Sequence, residues 1–258
     1  MTLRLDGAVL LQGARSVNKS QAAGGARDCH GRVITAPDHV ATLSRTDAMN
    51  PLLARATLMQ IEALCLAYGD RRRVGDWQEA SIGLLDHALQ CAQLAEWAHA
   101  EPPLVAAAFL HDLGHALAHA ASDAGEPASE AWPHHEPSRP YIALLSQAFD
   151  AAVTDPVRLH GQAKRYLVSA DARYAEALSP DALARLARQG GPMGPDERRR
   201  FEAQPHADAA IRLRLWDDLA KHPGKTTPPL AYYLDLLAEL IDAPAQRAKI
   251  DIGPVTVV

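Results

Sequence analysis

The sequence has few cysteines and few aromatic residues for its 258 positions. Its three cysteines, Cys29, Cys65 and Cys91, are far apart in the chain. This spacing suggests neither a disulfide framework nor a zinc cluster, and it is typical of a protein of the reducing cytoplasm. Aromatic side chains make up 5% of the chain, while Ala and Leu dominate. Because Ala and Leu favour helices and aromatic residues favour strands, the composition predicts an all-α fold.

The sequence also lacks long runs of basic residues and long runs of apolar residues. No long basic run occurs and the formal net charge is -5, so a nucleic-acid partner is not expected. No apolar run reaches the ~18 residues that span a bilayer, and the first residues lack the apolar core of a signal peptide. The sequence therefore predicts a cytoplasmic protein with no membrane partner.

The hydrophobic pattern divides the chain into three parts. Residues 1–48 contain scattered Gly, Ser, Asn and Arg without a period, which is typical of a poorly ordered N-terminal extension. Apolar residues at three- and four-residue spacings follow and predict a single helical bundle over residues 49–242, with residues 243–258 as a C-terminal tail. Within the bundle we expect helices over residues 104–119, 156–169, 179–188 (with Ser179 as N-cap) and 229–241.

The apolar segment at residues 104–119 carries unusual polar residues. It contains an adjacent His111-Asp112 pair, and His115 follows four residues after the first histidine. Ionisable groups are rare on apolar helices unless a metal ion or another partner compensates them. Residues i and i+4 share one face of a helix, so the spacing predicts that His111 and His115 look into one site.

Further His and Asp residues lie on other predicted helices or beside them. A single His on an apolar face is more often a packed core residue than a ligand, but several such groups in one helical domain favour a metal site in the bundle core. His and carboxylate ligands without thiolates suit iron, manganese or zinc better than calcium. The candidate ligands are His87, His111, Asp112, His135, His160 and Asp217.

Six short motifs resemble those of one enzyme family in residues and order. The His-Asp pair with its partners resembles the HD-domain superfamily, most of whose members are metal-dependent phosphohydrolases. The whole set, over about residues 52–240, is more similar to the phosphonate-cleaving HD-domain di-iron oxygenases, which are 2-amino-1-hydroxyethylphosphonate dioxygenase-like. The motifs are Leu-Asp-His-Ala-Leu-Gln around His87, His-Asp-Leu-Gly-His at 111–115, His135-Glu136, Val-Arg-Leu-His-Gly-Gln-Ala-Lys-Arg-Tyr at 157–166, Gln-Gly-Gly-Pro-Met at 189–193 and Leu-Trp-Asp-Asp-Leu-Ala-Lys at 215–221.

This resemblance implies two iron ions, as a mixed-valent Fe(II)/Fe(III) pair, with O2 as co-substrate. Asp112 would bridge the two ions. His134 adjoins His135 and remains an alternative ligand, although the His-Glu match favours His135. The remaining ligands would be His87, His111 and Asp217 on one iron, and His135 and His160 on the other.

The resemblance also implies that His115 and Lys164 contact the substrate rather than the metal. Lys164 lies one helical turn after the fourth histidine ligand, so its ammonium can meet a phosphonate oxygen. Arg214, three residues before Asp217, is a second candidate for binding the anion, with a solvated helix face as the alternative. Ser179 can donate to the substrate or cap its helix, and the cap is favoured.

The sequence departs from the family shortly before the first ligand histidine. Family members often carry a Tyr there, with a Glu three residues later, and these occupy the iron site until substrate enters. The corresponding positions hold Trp77 and Ala80, with Glu79 one residue away. A changed entrance suggests a different 1-hydroxyphosphonate, such as a smaller or an N-methylated one.

Three functions are compatible with this ligand set. The resemblance favours a dioxygenase that cleaves the C–P bond of a 1-hydroxyalkylphosphonate to give phosphate and a carboxylic acid. The alternative enzyme is an HD phosphohydrolase that uses a metal-activated water on a nucleotide or another phosphomonoester. A non-catalytic helical module with a structural metal is disfavoured, because loss of ligands is the expected mark of such a module.

Overall fold

The structure is a computed structural model that describes residues 50–72, 82–125 and 139–250. These residues form α-helices and no strand, which confirms the predicted all-α fold. The predicted extension at residues 1–48 lies outside the described residues, as do Trp77, Glu79, Ala80, His134 and His135. The helices are α1 Pro51–Tyr68, α2 Leu84–Trp97, α3 Pro102–Leu110, α4 Gly114–Asp123, α5 Arg139–Leu145, α6 Ala151–Ala170, α7 Ala172–Glu176, α8 Pro180–Arg188, α9 Pro195–Glu202, α10 Ala207–Leu219 and α11 Leu230–Ile250.

Local capping signals determine where several helices begin. The Asn50 side chain accepts a hydrogen bond from the Leu52 N–H in front of α1, and Pro51 fills the first turn, where no N–H is needed. The Ser179 hydroxyl accepts from the Ala182 N–H at 3.1 Å and caps α8, so the predicted cap is confirmed. Short polar side chains and proline therefore fix these starts from local sequence alone.

Helix α6 begins earlier than predicted. The sequence places its start at Pro156, but the helix starts at Ala151 because the Asp150 carboxylate accepts from the Ala152 N–H at 3.0 Å. Pro156 consequently lies inside α6, where its missing N–H leaves out one helical hydrogen bond. The earlier start gives α6 20 residues.

The helix predicted over residues 104–119 is interrupted. Helix α3 ends at Leu110 and α4 begins at Gly114, so His111 and Asp112 lie in the turn between the two helices. The expectation that one continuous helix presents two histidines on one face is therefore wrong. The turn instead directs the His-Asp pair into the protein, where both residues are at most 5% exposed.

A contact with a distant residue accompanies the interruption. The Leu110 carbonyl accepts from the Leu113 N–H and also from the Tyr141 hydroxyl of α5. A Cβ at position 114 would lie 3.1 Å from the Tyr141 ring, so Gly114 allows this ring to approach the backbone. The side chain of one α5 residue, Tyr141, thus contacts the backbone on both sides of the break between α3 and α4.

Helix α3 lies at the centre of the bundle. All its side chains from Leu104 to Leu110 are buried. Helices α2, α6 and α10 pack against α3, and α10 packs most extensively against α6. This arrangement surrounds the α3–α4 turn with three helices that carry polar residues on their buried faces.

The end of the described chain also differs from the prediction. Helix α11 continues to Ile250, into the predicted tail, instead of ending near Ile241. Helix α7 is not predicted by the hydrophobic pattern, because its five residues are too short for a period to appear. Among the described residues, no helix combines the length and the apolar content that crossing a bilayer requires.

Candidate metal centre

Four buried side chains from three parts of the fold meet beside the α3–α4 turn. His87 comes from α2, His111 and Asp112 from the turn, and Asp217 from α10. One potential ligand atom of each residue lies within 4.8 Å of the others. All four residues are at most 5% exposed. The fold thus brings together four of the six ligands predicted from sequence.

Backbone carbonyls fix the orientation of two imidazole rings in this cluster. The Nδ1 of His87 lies 2.7 Å from the Ala220 oxygen, and the Nδ1 of His111 lies 2.9 Å from the Ala108 oxygen. A carbonyl only accepts hydrogen bonds, so each Nδ1 carries a proton and donates it. In the neutral ring the Nε2 then keeps its lone pair, which is the form that binds a metal.

The donor atoms are close enough to need a cation among them. The two Nε2 atoms are 3.3 Å apart, Asp217 Oδ1 is 3.2 Å from His87 Nε2, and Asp112 Oδ2 is 3.5 Å from both nitrogens. Electron-rich nitrogen and carboxylate oxygen atoms at such distances repel one another in a buried site unless a proton or a metal ion lies among them. Two nitrogens and two carboxylates form a set of intermediate hardness. The residues present therefore fit an iron, manganese or zinc ion.

The two oxygens of Asp112 face different groups. Oδ2 faces the two histidines of the cluster, while Oδ1 lies 3.9 Å from His115 Nε2. A carboxylate with this arrangement can bridge two ions. The His115 side chain is 27% exposed and lies at the edge of the four-residue cluster.

His160 on α6 borders the cluster. Its ring is perpendicular to that of His111, with ring centroids 5.4 Å apart, and its Nδ1 donates to the Val157 oxygen at 2.6 Å. Burial and the neighbouring His111 lower the pKa of His160 to about 4. The ring is therefore neutral at pH 7, as a metal ligand must be. The structure leaves the sixth predicted ligand, His135, outside the described residues.

Lys164 lies one turn after His160 and is 3% exposed. Its Nζ donates to the Ala182 carbonyl of α8 at 3.3 Å, which uses one of its three N–H donors. Burial, together with Arg214 and Arg185, lowers the pKa of Lys164 from 10.5 to about 8. A poorly solvated ammonium next to other cations favours an anionic ligand.

Arg214 is buried, at 8% exposure, so the alternative of a solvated helix face is wrong. Its Nη1 lies 2.6 Å from Asp217 Oδ2, and its Nη2 pairs with Asp218. Its Nε donates to Asp218 at 3.1 Å and to the Tyr174 hydroxyl at 3.3 Å. The guanidinium therefore holds the Asp217 carboxylate in place from the side opposite His87.

Sequence reasoning missed two residues beside the cluster. Tyr174 on α7 donates to Asp218 Oδ2 at 2.6 Å, and nothing in the sequence indicates this contact because α7 is so short. The Cys91 sulfur lies 3.5 Å from His87 Nε2 on α2. The four-residue spacing between His87 and Cys91 is a signal that could have found the second contact.

Replacing Tyr174 with Phe is expected to lower the free energy of unfolding by about 1 kcal/mol, because Asp218 and Arg214 each lose a partner. Urea denaturation measures the effect. The matched control is Tyr232→Phe, which removes an exposed hydroxyl bonded to Glu96 and should cost much less. Equal losses in the two variants would contradict a supporting role for Tyr174.

Comparisons with known proteins find relatives that include phosphonate dioxygenases. The chain is 39% identical to the hydroxymethylphosphonate dioxygenase of Gimesia maris over 155 residues. This matched segment covers 60% of this chain and 76% of that protein. It is 29% identical over 173 residues to the glycine-betaine-forming 1-hydroxy-2-(trimethylamino)ethylphosphonate dioxygenase of Leisingera caerulea, covering 67% of this chain and 86% of that protein. An uncharacterised protein of Acanthamoeba polyphaga mimivirus is 34% identical over 158 residues, covering 61% of this chain and 71% of that protein. No protein-family model matches the chain.

Proposed function

The chain belongs to the phosphonate dioxygenase family, and we propose that it uses O2 to cleave the C–P bond of a 1-hydroxyalkylphosphonate. The products are phosphate and a carboxylic acid. One O2 is needed for each bond cleaved, because the two products together contain two more oxygen atoms than the substrate. The observation that carries the proposal is the buried convergence of His87, His111, Asp112 and Asp217 in a chain with these relatives.

The proposed cofactor is a pair of iron ions. His87, His111 and Asp217 would hold one ion, His135 and His160 the other, and Asp112 would bridge them. The divergent oxygens of Asp112 and the neutral ring of His160 support this assignment. Bound iron would activate O2 and accept and return the electrons of the oxidation.

The side chains around the ligands would bind and orient the substrate. Lys164 would donate to phosphonate oxygens with the N–H groups that Ala182 does not use, since charge-assisted hydrogen bonds are strongest in a buried setting. His115 would hydrogen-bond near the hydroxyl-bearing carbon from the edge of the cluster. Ser179 and Arg214 are the further proposed phosphonate contacts, although Ser179 caps α8 and Arg214 is paired with Asp217.

The first substrate to test is hydroxymethylphosphonate. Of the two dioxygenase relatives described above, the one named for this compound has the higher identity. The departure from the family's Tyr and Glu at Trp77 and Ala80 also favours a smaller or an N-methylated substrate. The names of these two relatives give one substrate of each kind. Hydroxymethylphosphonate would give formate and phosphate.

Oxygen consumption and phosphate release in the presence of iron test the proposal. Hydroxymethylphosphonate and 1-hydroxy-2-(trimethylamino)ethylphosphonate are compared as substrates, with a phosphomonoester as the control. We expect O2 uptake and phosphate in equal amounts from a hydroxyphosphonate and none from the control. Phosphate release from the phosphomonoester without O2 would mean that the protein is a hydrolase.

The pH dependence of kcat/KM should report the charge of Lys164. Its pKa of about 8 in the free protein means that the ammonium is present below this pH and is lost as the pH rises through it. Because the neutral amine cannot balance a phosphonate charge, kcat/KM is expected to fall above about pH 8. The Lys164→Arg variant keeps its charge throughout and should lack this fall. A wild-type profile that stays flat to about pH 10 would contradict the assignment.

A further inference from the structure

Helix α1 is apolar on two opposite faces. The inner face, with Ala54, Ile61, Leu64 and Cys65, is buried in the core. The outer face nevertheless carries large apolar side chains, and the exposed fractions are 80% for Leu52, 70% for Met59 and 71% for Leu66. A contiguous patch of exposed large apolar side chains is typical of an interaction site.

The outer apolar residues form one continuous stripe. Leu52, Met59 and Leu66 are spaced seven residues apart and therefore lie within about 40° of one another around the helix. Two exposed residues between them, Ala56 and Ala63, are small enough to let another helix approach closely. These five residues are called the α1 stripe below, and a heptad spacing of this kind is the pattern of paired helices.

The charges beside the stripe are complementary to a second copy of the same helix. Arg55 and Glu62 lie on one flank, also seven residues apart, and the other flank is uncharged. If a second α1 packs antiparallel with its Met59 opposite the first Met59, then Leu52 faces Leu66. In the same arrangement the charged flanks of the two copies lie on the same side, so Arg55 of each copy faces Glu62 of the other. In a parallel pair, the charged flank of each helix would instead face the uncharged flank of the other.

We infer that the α1 stripe is a dimer interface on which a second copy of this chain packs antiparallel about a twofold axis at Met59. Arg55 is available for this contact because its present ion pair with Asp242 is exposed and 3.4 Å long, and such surface pairs contribute little. A twofold interface uses the same surface on both copies, which this symmetric stripe provides. The inference is independent of the proposed function.

Sedimentation of the full-length chain over a range of concentrations tests the interface. We expect a monomer–dimer equilibrium in the wild type and a dissociation constant at least about 100-fold higher in Met59→Glu, which places two carboxylates at the twofold axis. Each single reversal, Arg55→Glu or Glu62→Arg, should weaken the dimer about tenfold, and the double reversal should restore it. A wild type that remains monomeric at about 500 μM would overturn the inference. A dimer that is unaffected by Met59→Glu would also overturn it.

Thiol cross-linking determines the direction of packing. In a Cys29→Ser background, Met59→Cys should form a disulfide with itself across the axis, because the two α-carbons lie within disulfide reach there. Leu66→Cys alone should not cross-link, but it should do so when mixed with Leu52→Cys. Cross-linking of Leu66→Cys to itself would indicate parallel packing, and no cross-link at Met59 would mean that two copies do not meet at this residue. Either result would contradict the proposed dimer.

Discussion

Replacing Asp112 with Ala is expected to abolish metal binding and to lower kcat/KM by at least about 10³-fold. The carboxylate oxygen Oδ2 lies 3.5 Å from both histidine Nε2 atoms, and Oδ1 faces His115. Without this residue, each proposed metal site loses a negative ligand and the bridge between the two sites is lost. Metal content by elemental analysis and turnover with hydroxymethylphosphonate measure the two effects.

The matched control for Asp112 is Asp86→Ala. Asp86 adjoins the proposed ligand His87 in sequence but is exposed on α2. We expect this variant to retain full metal content and activity. Circular dichroism establishes that both variants are folded, so that metal loss in Asp112→Ala is not a consequence of unfolding. An Asp112→Ala protein that keeps two metal ions would show that the bridging assignment is wrong.

The sequence predicted the helices whose signals are local. Ser179 caps α8 as expected, because the hydroxyl and the N–H that it binds are three residues apart. The break between α3 and α4 was not predictable in this way. It accompanies the Tyr141 hydroxyl on the Leu110 carbonyl and the Tyr141 ring against Gly114, and these contacts join residues about 30 positions apart.

The same distinction between local signals and contacts of distant residues applies to the candidate site. Residue types and their order predicted His87, His111, Asp112 and Asp217 as metal ligands, and the fold brings these four residues together. The surroundings of these candidate ligands could not be predicted as well, because they depend on how the helices pack.

Arg214 illustrates this limit. Its spacing allows contacts with Asp217 and Asp218, three and four residues later on α10, but only the placement of α7 beside α6 explains why the Tyr174 hydroxyl also holds its guanidinium. Its burial therefore could not be deduced from the sequence of α10.

Replacing Lys164 with Met is expected to leave the metal content unchanged and to raise the KM for the phosphonate by about 10- to 100-fold, which is the usual effect of losing a charge-assisted hydrogen bond. Steady-state kinetics and elemental analysis measure the two quantities. The matched control is Lys221→Met, just beyond α10. The Lys221 side chain is only half-buried, and this variant should bind substrate as the wild type does. Loss of metal from Lys164→Met would contradict a role confined to the substrate.

The same Lys164→Met substitution should raise the melting temperature of the substrate-free protein, which separates a binding role from a structural one. Burial lowers the pKa of Lys164 from 10.5 to about 8, so the folded state disfavours the charged form. This cost is fully present below about pH 8, and it is relieved as the pH rises from there towards 10.5. The gain from Met should therefore be largest near neutral pH and should shrink above pH 8. A lower melting temperature at pH 7 would indicate that Lys164 supports the fold, because a residue kept for its substrate is expected to cost stability when the substrate is absent.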